Sequence, residues 1–204
     1  MKSIAVLASG RGSNFASIIK YFENNDNIVI KLLLASKDNI GAIDIAKEHN
    51  IEYVVLRKKD FSSNKQFGEY FLNILNENNI DLVVLAGYLK KIPDIVIDNY
   101  YPMIINIHPA LLPAFGGKGY YGLNVHRAVI ESGVFYSGLT IHFVNKEYDK
   151  GPIIFQKVVE VREYDEPESL ANRILKFEHE YYPLIIEKVL TKKFKIKNNR
   201  VIFD

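Results

Sequence analysis

The chain of 204 residues is 48% hydrophobic and 25% charged, which fits one globular domain whose core needs no covalent staples. It has no cysteine, so disulfides, thiolate-held zinc, iron–sulfur clusters and thiol nucleophiles are excluded, and any metal would need histidine and carboxylate ligands. The net charge of +2 hides an asymmetry, because residues 188–204 hold six cations against one acid, a net +5, and leave −3 on the other 187 residues. The cations of this tail alternate with Phe194, Ile196, Val201, Ile202 and Phe203, a pattern that predicts a solvated terminal hairpin in preference to a nucleic-acid arm.

Short β-branched runs alternate with amphipathic stretches, the signature of βαβ units stacked into a mostly parallel sheet covered on both faces. In chain order the pattern predicts a strand at Ile4–Ala8, a helix over Ser13–Phe22, a strand over Ile28–Leu34, a helix over Ala42–His49 and a strand over Ile51–Val55. A helix over Lys65–Asn78 follows, then strands at Leu82–Leu85 and Met103–Ile107. After Pro113 the pattern changes, and four of the twelve glycines fall within residues 116–122, which predicts a mobile loop. A short helix over Val125–Ser132 leads into two extended runs, Gly138–Val144 and Pro152–Val161, that read as added antiparallel strands. The last long helix spans Glu168–Val189, opened by Pro167. Only five apolar residues separate Ser3 from Ser9, too few for a signal peptide, and the longest uncharged stretch, Asn99–Gly117, is broken by three prolines. The expectation is a cytoplasmic protein with no membrane partner.

In open α/β sheets ligands gather outside the carboxyl ends of the strands, and three segments there carry the chemistry. Ser9-Gly10-Arg11-Gly12-Ser13-Asn14 joins a strand to a helix, where successive main-chain N–H groups with Arg11, Ser13 and Asn14 make an anion site. It is neither a dinucleotide fingerprint, since Phe15 stands at the third glycine, nor a nucleoside-triphosphate loop. In Asn106-Ile107-His108-Pro109 the amide and the imidazole lie two apart and share one strand face, suited to holding an oxyanion and handling a proton. Thr140, His142 and Val144 share another face, and Asp149 sits in a turn before Gly151-Pro152, from which a carboxylate beside His108 would orient the imidazole and raise its pKa. His49 reads as a surface residue and His126 as a structural one; no paired histidine spacing suggests a metal.

Over these motifs, together with Leu85-Ala86-Gly87-Tyr88, Asp149-Lys150-Gly151-Pro152 and Glu178-His179-Glu180-Tyr181-Tyr182-Pro183, the sequence resembles the folate-dependent formyltransferases of purine biosynthesis. The resemblance implies an α/β, three-layer Rossmann-like formyltransferase fold in a single domain 1–204, with a phosphate-binding half over about 1–100 and a catalytic and folate half over about 101–204. It implies transfer of a formyl group from the co-substrate 10-formyltetrahydrofolate, without a metal, to the amine of 5'-phosphoribosylglycinamide (GAR). Asn106, His108 and Asp149 match the catalytic residues. Arg11, Gly12, Ser13 and Asn14 match the loop for the GAR phosphate, with Gly87, Leu89 and Glu178 also on the GAR side. Folate would meet Lys90, Lys91 and Ile92 and the loop Asn145, Lys146, Glu147, Tyr148 and Asp149, with the glycine-rich segment as a possible lid. Lys90, Asn64 and Leu175 depart from the family pattern, which often has arginine at the first two positions and a polar residue at the third. A monomer or homodimer acting on small molecules, with no nucleic-acid partner, is expected. The alternatives are a formyltetrahydrofolate deformylase, a sugar-nucleotide formyltransferase and, from another class, a noncatalytic nucleotide- or RNA-binding module.

Overall fold

The computed structural model describes all residues, 1–204, and divides into two compact units, Met1–Ile105 and Asn106–Asp204. In the first unit β1 (Lys2–Ala8), α1 (Ser13–Phe22), β2 (Ile28–Ala35), α2 (Gly41–Glu48), β3 (Glu52–Val55), α3 (Asn64–Glu77) and β4 (Leu82–Leu85) alternate as the hydrophobic periods require. The strands lie in the order β3-β2-β1-β4, all parallel. Ile4 to Ala8 are fully buried, as are Leu82 to Val84, so these strands are covered on both faces and read as continuous apolar runs instead of alternating ones. α1 turns Phe15, Ile18, Ile19 and Phe22 inward, and α3 turns in Phe67, Phe71, Ile74 and Leu75. Ser63 starts α3 by accepting the Gln66 N–H at 3.2 Å.

The structure adds two elements that the sequence reading omits. One is a single turn of 3-10 helix at Lys58–Asp60, and the other is α4 (Asp94–Tyr100). Ile95-Val96-Ile97 is a β-branched run flanked by Asp94 and Asp98, a composition that masks helical propensity; burial of Val96 and Ile97 overrides it. After α4, β5 (Ile104–His108) starts one residue later than expected and includes His108 itself.

The second unit contains α5 (Leu123–Glu131), β6 (Tyr136–Phe143), β7 (Ile153–Glu160), α6 (Pro167–Thr191), β8 (Phe194–Lys197) and β9 (Arg200–Phe203). Here the order is β6-β7-β9-β8, with β6 antiparallel to β7 and β8 antiparallel to β9. The sheet is thus mostly parallel with antiparallel additions. α6 begins with Pro167 at its first turn and a reciprocal cap in which Ser169 Oγ accepts the Glu166 N–H at 3.0 Å. The basic tail forms the expected hairpin. Asn198 and Asn199 supply the two positive φ angles of its turn, 50° and 61°, and Phe194 stacks on Phe143 with centroids 5.2 Å apart. No helix is long and apolar enough to cross a membrane.

Candidate active site

In the first unit the anion loop is set by close main-chain packing. Gly12 has φ +83°, and a Cβ there would lie 2.8 Å from Ala42 Cα; a Cβ on Gly41 would lie 2.7 Å from the Arg11 carbonyl oxygen. The loop therefore rests directly on the N-terminus of α2, where the Ala42 N–H donates to the Gly10 carbonyl at 3.2 Å. α1 has no side-chain cap and no acid in its first turn, which leaves the positive end of the helix for an anion, with Arg11 and Ser13 exposed beside it. Ser9 ties this loop to the end of β4. Its N–H donates to the Gly87 carbonyl at 3.1 Å, and its hydroxyl oxygen accepts the Leu89 N–H at 2.9 Å and the Ser36 hydroxyl at 2.8 Å. Of the expected GAR-side residues, Gly87 and Leu89 are thus hydrogen-bonded to Ser9 at the start of the loop that carries Gly12 and Ser13, with Leu89 exposed. Of the residues expected at folate, Lys90 and Lys91 are exposed and Ile92 is buried, and the Lys91 amine is held by Asp94 at 3.0 Å.

The second unit holds the acid–base cluster. Asn106 and His108 share a face of β5, and His108 is 4% exposed. His108 Nε2 lies 2.8 Å from the Phe115 carbonyl, which can only accept, so Nε2 carries a proton and Nδ1 is the nitrogen that titrates. Nδ1 faces Asp149 Oδ2 at 3.8 Å, an ionic distance beyond a direct hydrogen bond. The other Asp149 oxygen lies 3.6 Å from His142 Nε2, and Asn106 Nδ2 lies 3.2 Å from the same nitrogen. The amide therefore meets His142, a contact the sequence reading lacks; its only signal was that His142 follows Thr140 on one face of β6.

Main-chain groups complete the arrangement. Asp149 adopts φ +54°, and its Oδ2 accepts the Gly117 N–H at 2.8 Å. A Cβ on Gly116 would fall 2.4 Å from Leu112 Cδ2 and 3.2 Å from Asp149 Cβ, so the first part of the glycine-rich loop is packed against the carboxylate. The sequence reading expected mobility there because glycine content does not distinguish freedom from close approach. Gly151 is required for the same reason, since its Cβ would sit 1.7 Å from the Phe143 carbonyl oxygen. The turn after β5 is held by Thr140, whose hydroxyl donates to the Ala110 carbonyl at 2.7 Å and accepts the Leu112 N–H at 3.0 Å, and by Gln156, which donates to the Leu112 carbonyl at 2.9 Å. β6 ends at Phe143, so Val144 does not share the strand face of Thr140 and His142. Asn145 Oδ1 accepts the Glu147 N–H at 2.9 Å, and Lys146, Glu147 and Tyr148 are exposed. Glu178 is buried on α6.

Electrostatics follow from this burial. Burial pushes the His108 pKa down, Asp149 and then the Phe115 carbonyl oppose, and the charge that His142 carries when protonated adds to the lowering; the net direction is downward. Asp149 does act to raise it, as the sequence suggests, but desolvation is the larger effect. For Asp149, burial pushes upward, yet His142 in its protonated form, the Gly117 N–H and the charge of His108 together hold the carboxyl below the usual range. His126, buried on α5, is held down to about 4 by burial and then by the charge of His108. A carboxylate 13% exposed between two imidazoles, with an amide on the second of them, can receive a proton and stabilise an oxygen that gains negative charge. No group of three or more His, Asp or Glu is arranged to hold a metal ion.

Residues 2–186 match the family model described as Formyl transferase. The chain belongs to the formyl transferase family. It is 42% identical over 202 residues to the protein named "Phosphoribosylglycinamide formyltransferase, chloroplastic" of Arabidopsis thaliana, covering 98% of this chain and 69% of that one. With phosphoribosylglycinamide formyltransferase of Bacillus subtilis it is 37% identical, over 93% of this chain and 95% of that one. The crystal structure of glycinamide ribonucleotide transformylase 1 from Symbiobacterium toebii matches all of this chain and 94% of its own, with a TM-score of 0.92 and 32% identity. This formyltransferase is thus a group-transfer enzyme by family, and its partly buried Asn–His–Asp cluster is chemistry suited to moving an acyl group.

Proposed function

We propose that this formyltransferase moves the formyl group of 10-formyltetrahydrofolate to the amine of GAR, giving formyl-GAR and tetrahydrofolate, as a single formyltransferase domain in cytoplasmic purine biosynthesis. The observation that carries the reading is the partly buried cluster in which Asp149 stands between His108 Nδ1 and His142 Nε2, with the Asn106 amide on His142 Nε2. Asn106 donates an N–H to the formyl oxygen as the amine adds to the formyl carbon. His108, protonated on Nδ1, donates to the same oxygen as it gains negative charge. Asp149 stabilises that imidazolium and helps carry the amine proton to the folate nitrogen that departs; the C–N bond to GAR forms as the C–N bond to folate breaks, and one proton changes sides. No covalent intermediate on the protein is needed.

Recognition of GAR is assigned to Arg11, Gly12, Ser13 and Asn14 for the phosphate, with Gly87, Leu89 and Glu178 toward the glycinamide. The uncapped, acid-free start of α1 and the exposure of Arg11 and Ser13 support this. The folate co-substrate is assigned to the segment Lys90, Lys91 and Ile92, in which buried Ile92 anchors the exposed lysines, and to residues Asn145–Asp149, where the loop offers main-chain polar groups. The relatives' names support GAR over a sugar nucleotide as acceptor. The test is a formyl-transfer assay followed by folate absorbance with GAR present or omitted. Turnover that requires GAR is the expected result; turnover without GAR would make the protein a deformylase, and none in either case would favour a binding module.

A further inference from the structure

His142 is 2% exposed, lies next to the reacting groups and has no part in the steps above. Its strand is irregular at this point: the β6–β7 register shifts between Ile141 and His142, and such a shift re-aims the side chain that follows. His142 Nδ1 lies 2.8 Å from the Phe143 carbonyl. A carbonyl only accepts, so Nδ1 is the protonated nitrogen of the neutral ring and Nε2 presents a lone pair. That lone pair faces Asn106 Nδ2 at 3.2 Å and Asp149 Oδ1 at 3.6 Å. Only the first is within hydrogen-bond range, and only a donor satisfies a lone pair.

We propose that His142 is a positioning residue that, through Nε2, fixes the orientation of the Asn106 amide and leaves its second N–H for the formyl oxygen. The chain of constraint runs from the Phe143 carbonyl to the His142 tautomer, from the tautomer to the amide, and from the amide to the reacting oxygen. A flipped amide would turn its own oxygen toward the Nε2 lone pair, acceptor against acceptor, and that orientation is excluded by repulsion. The role is indirect: His142 acts on the reaction only through Asn106. It rests on the catalytic assignment of Asn106 made above.

His142→Phe keeps a planar ring and removes the acceptor, whereas His142→Gln restores an acceptor on a flexible stem. With the parent enzyme turning over GAR, His142→Phe lowers kcat on the order of 10- to 100-fold, less than or equal to the cost of losing one oxyanion donor, with the KM of GAR and of the formyl donor within about twofold. His142→Gln recovers part of the loss. In an Asn106→Ala background, His142→Phe costs less than about twofold more, because the group through which it acts is gone. A kcat near that of the parent, or a full further loss in the Asn106→Ala background, overturns the proposal. The nitrogen-15 spectrum of the His142 ring in the parent protein tests it without activity and without a variant that has to fold. A neutral ring protonated on Nδ1 is expected, and one protonated on Nε2 overturns it. Absence of GAR turnover in the parent enzyme would instead defeat the catalytic reading, so the two failures are distinguishable.

Discussion

Replacing His126 by glutamine flattens the acid side of the stability profile. His126 is 4% exposed on α5, its Nδ1 has no hydrogen-bond partner, and burial with the charge of His108 holds its pKa down to about 4 from 6.5. Between these values the unfolded chain binds a proton that the folded chain refuses, so stability rises with pH there. The contribution is complete above pH 6.5 and is lost as the pH falls toward 4. From a folded value of about 4, His126 alone removes about 2.5 kcal/mol between pH 7 and pH 4.5. The assay is urea unfolding of both proteins at the two pH values, each protein compared with itself, so that any packing cost of the substitution cancels. His108 and His179 are also pushed down and weaken both proteins alike across this window. Asp81, Asp149 and Asp165 are held below their ordinary range, and their contributions fail at lower pH. The variant therefore loses about 2.5 kcal/mol less than the parent from pH 7 to 4.5. An equal loss in the two proteins would refute the idea that His126 is buried neutral.

His108→Ala lowers kcat by on the order of 10²- to 10⁴-fold while GAR still binds, checked by single-turnover rates and by calorimetric titration with GAR; near-normal turnover removes His108 from the reaction. Ser13→Ala raises the KM for GAR on the order of 10- to 100-fold and leaves that of the formyl donor unchanged, as expected for loss of one hydrogen bond to a charged group; an unchanged GAR KM sinks the phosphate-loop assignment. Gly151→Ala places a methyl 1.7 Å from the Phe143 carbonyl oxygen before any relaxation. It costs about 1–3 kcal/mol in urea unfolding and lowers kcat as well, since the turn bearing Asp149 must move.

The repeating part of the fold was legible because its rule is local. Ser13–Phe22 and Leu82–Leu85 agree with the sequence reading to the residue, each marked by apolar period and flanking turn residues. α4 was not legible, because Ile95, Val96 and Ile97 favour a strand by propensity and become helical only through what Val96 and Ile97 pack against. The site divides in the same way. Asn106 and His108 two apart on a strand, and glycines between a strand and a helix, are side-chain signals on adjacent positions. The partners that tune them are main-chain groups: the Phe115 carbonyl on His108, the Gly117 N–H on Asp149 and the Phe143 carbonyl on His142. Every residue has a carbonyl and nearly every one an N–H, so residue type carries no trace of which will be used. Thr140 and Gln156, which brace the turn after β5, come together only through β6–β7 pairing, where they are direct cross-strand partners.

One carboxylate stands between two imidazoles, and the neighbouring carbonyls decide how they differ. The Phe115 carbonyl accepts the Nε2–H of His108 and leaves Nδ1 to Asp149, while the Phe143 carbonyl accepts the Nδ1–H of His142 and leaves Nε2 to Asn106. A single negative charge does not support two buried imidazolium ions, and the amide already occupies the free nitrogen of His142. The imidazolium of the proposed reaction therefore belongs on His108. Burial keeps that ring from holding the proton tightly in the resting protein. An imidazole poised below its ordinary pKa gains most from a new negative charge nearby, so its interaction is weak with a neutral formyl group and strong with the oxygen after the amine adds. That difference between ground state and transition state, more than affinity for either substrate, is what lowers the barrier.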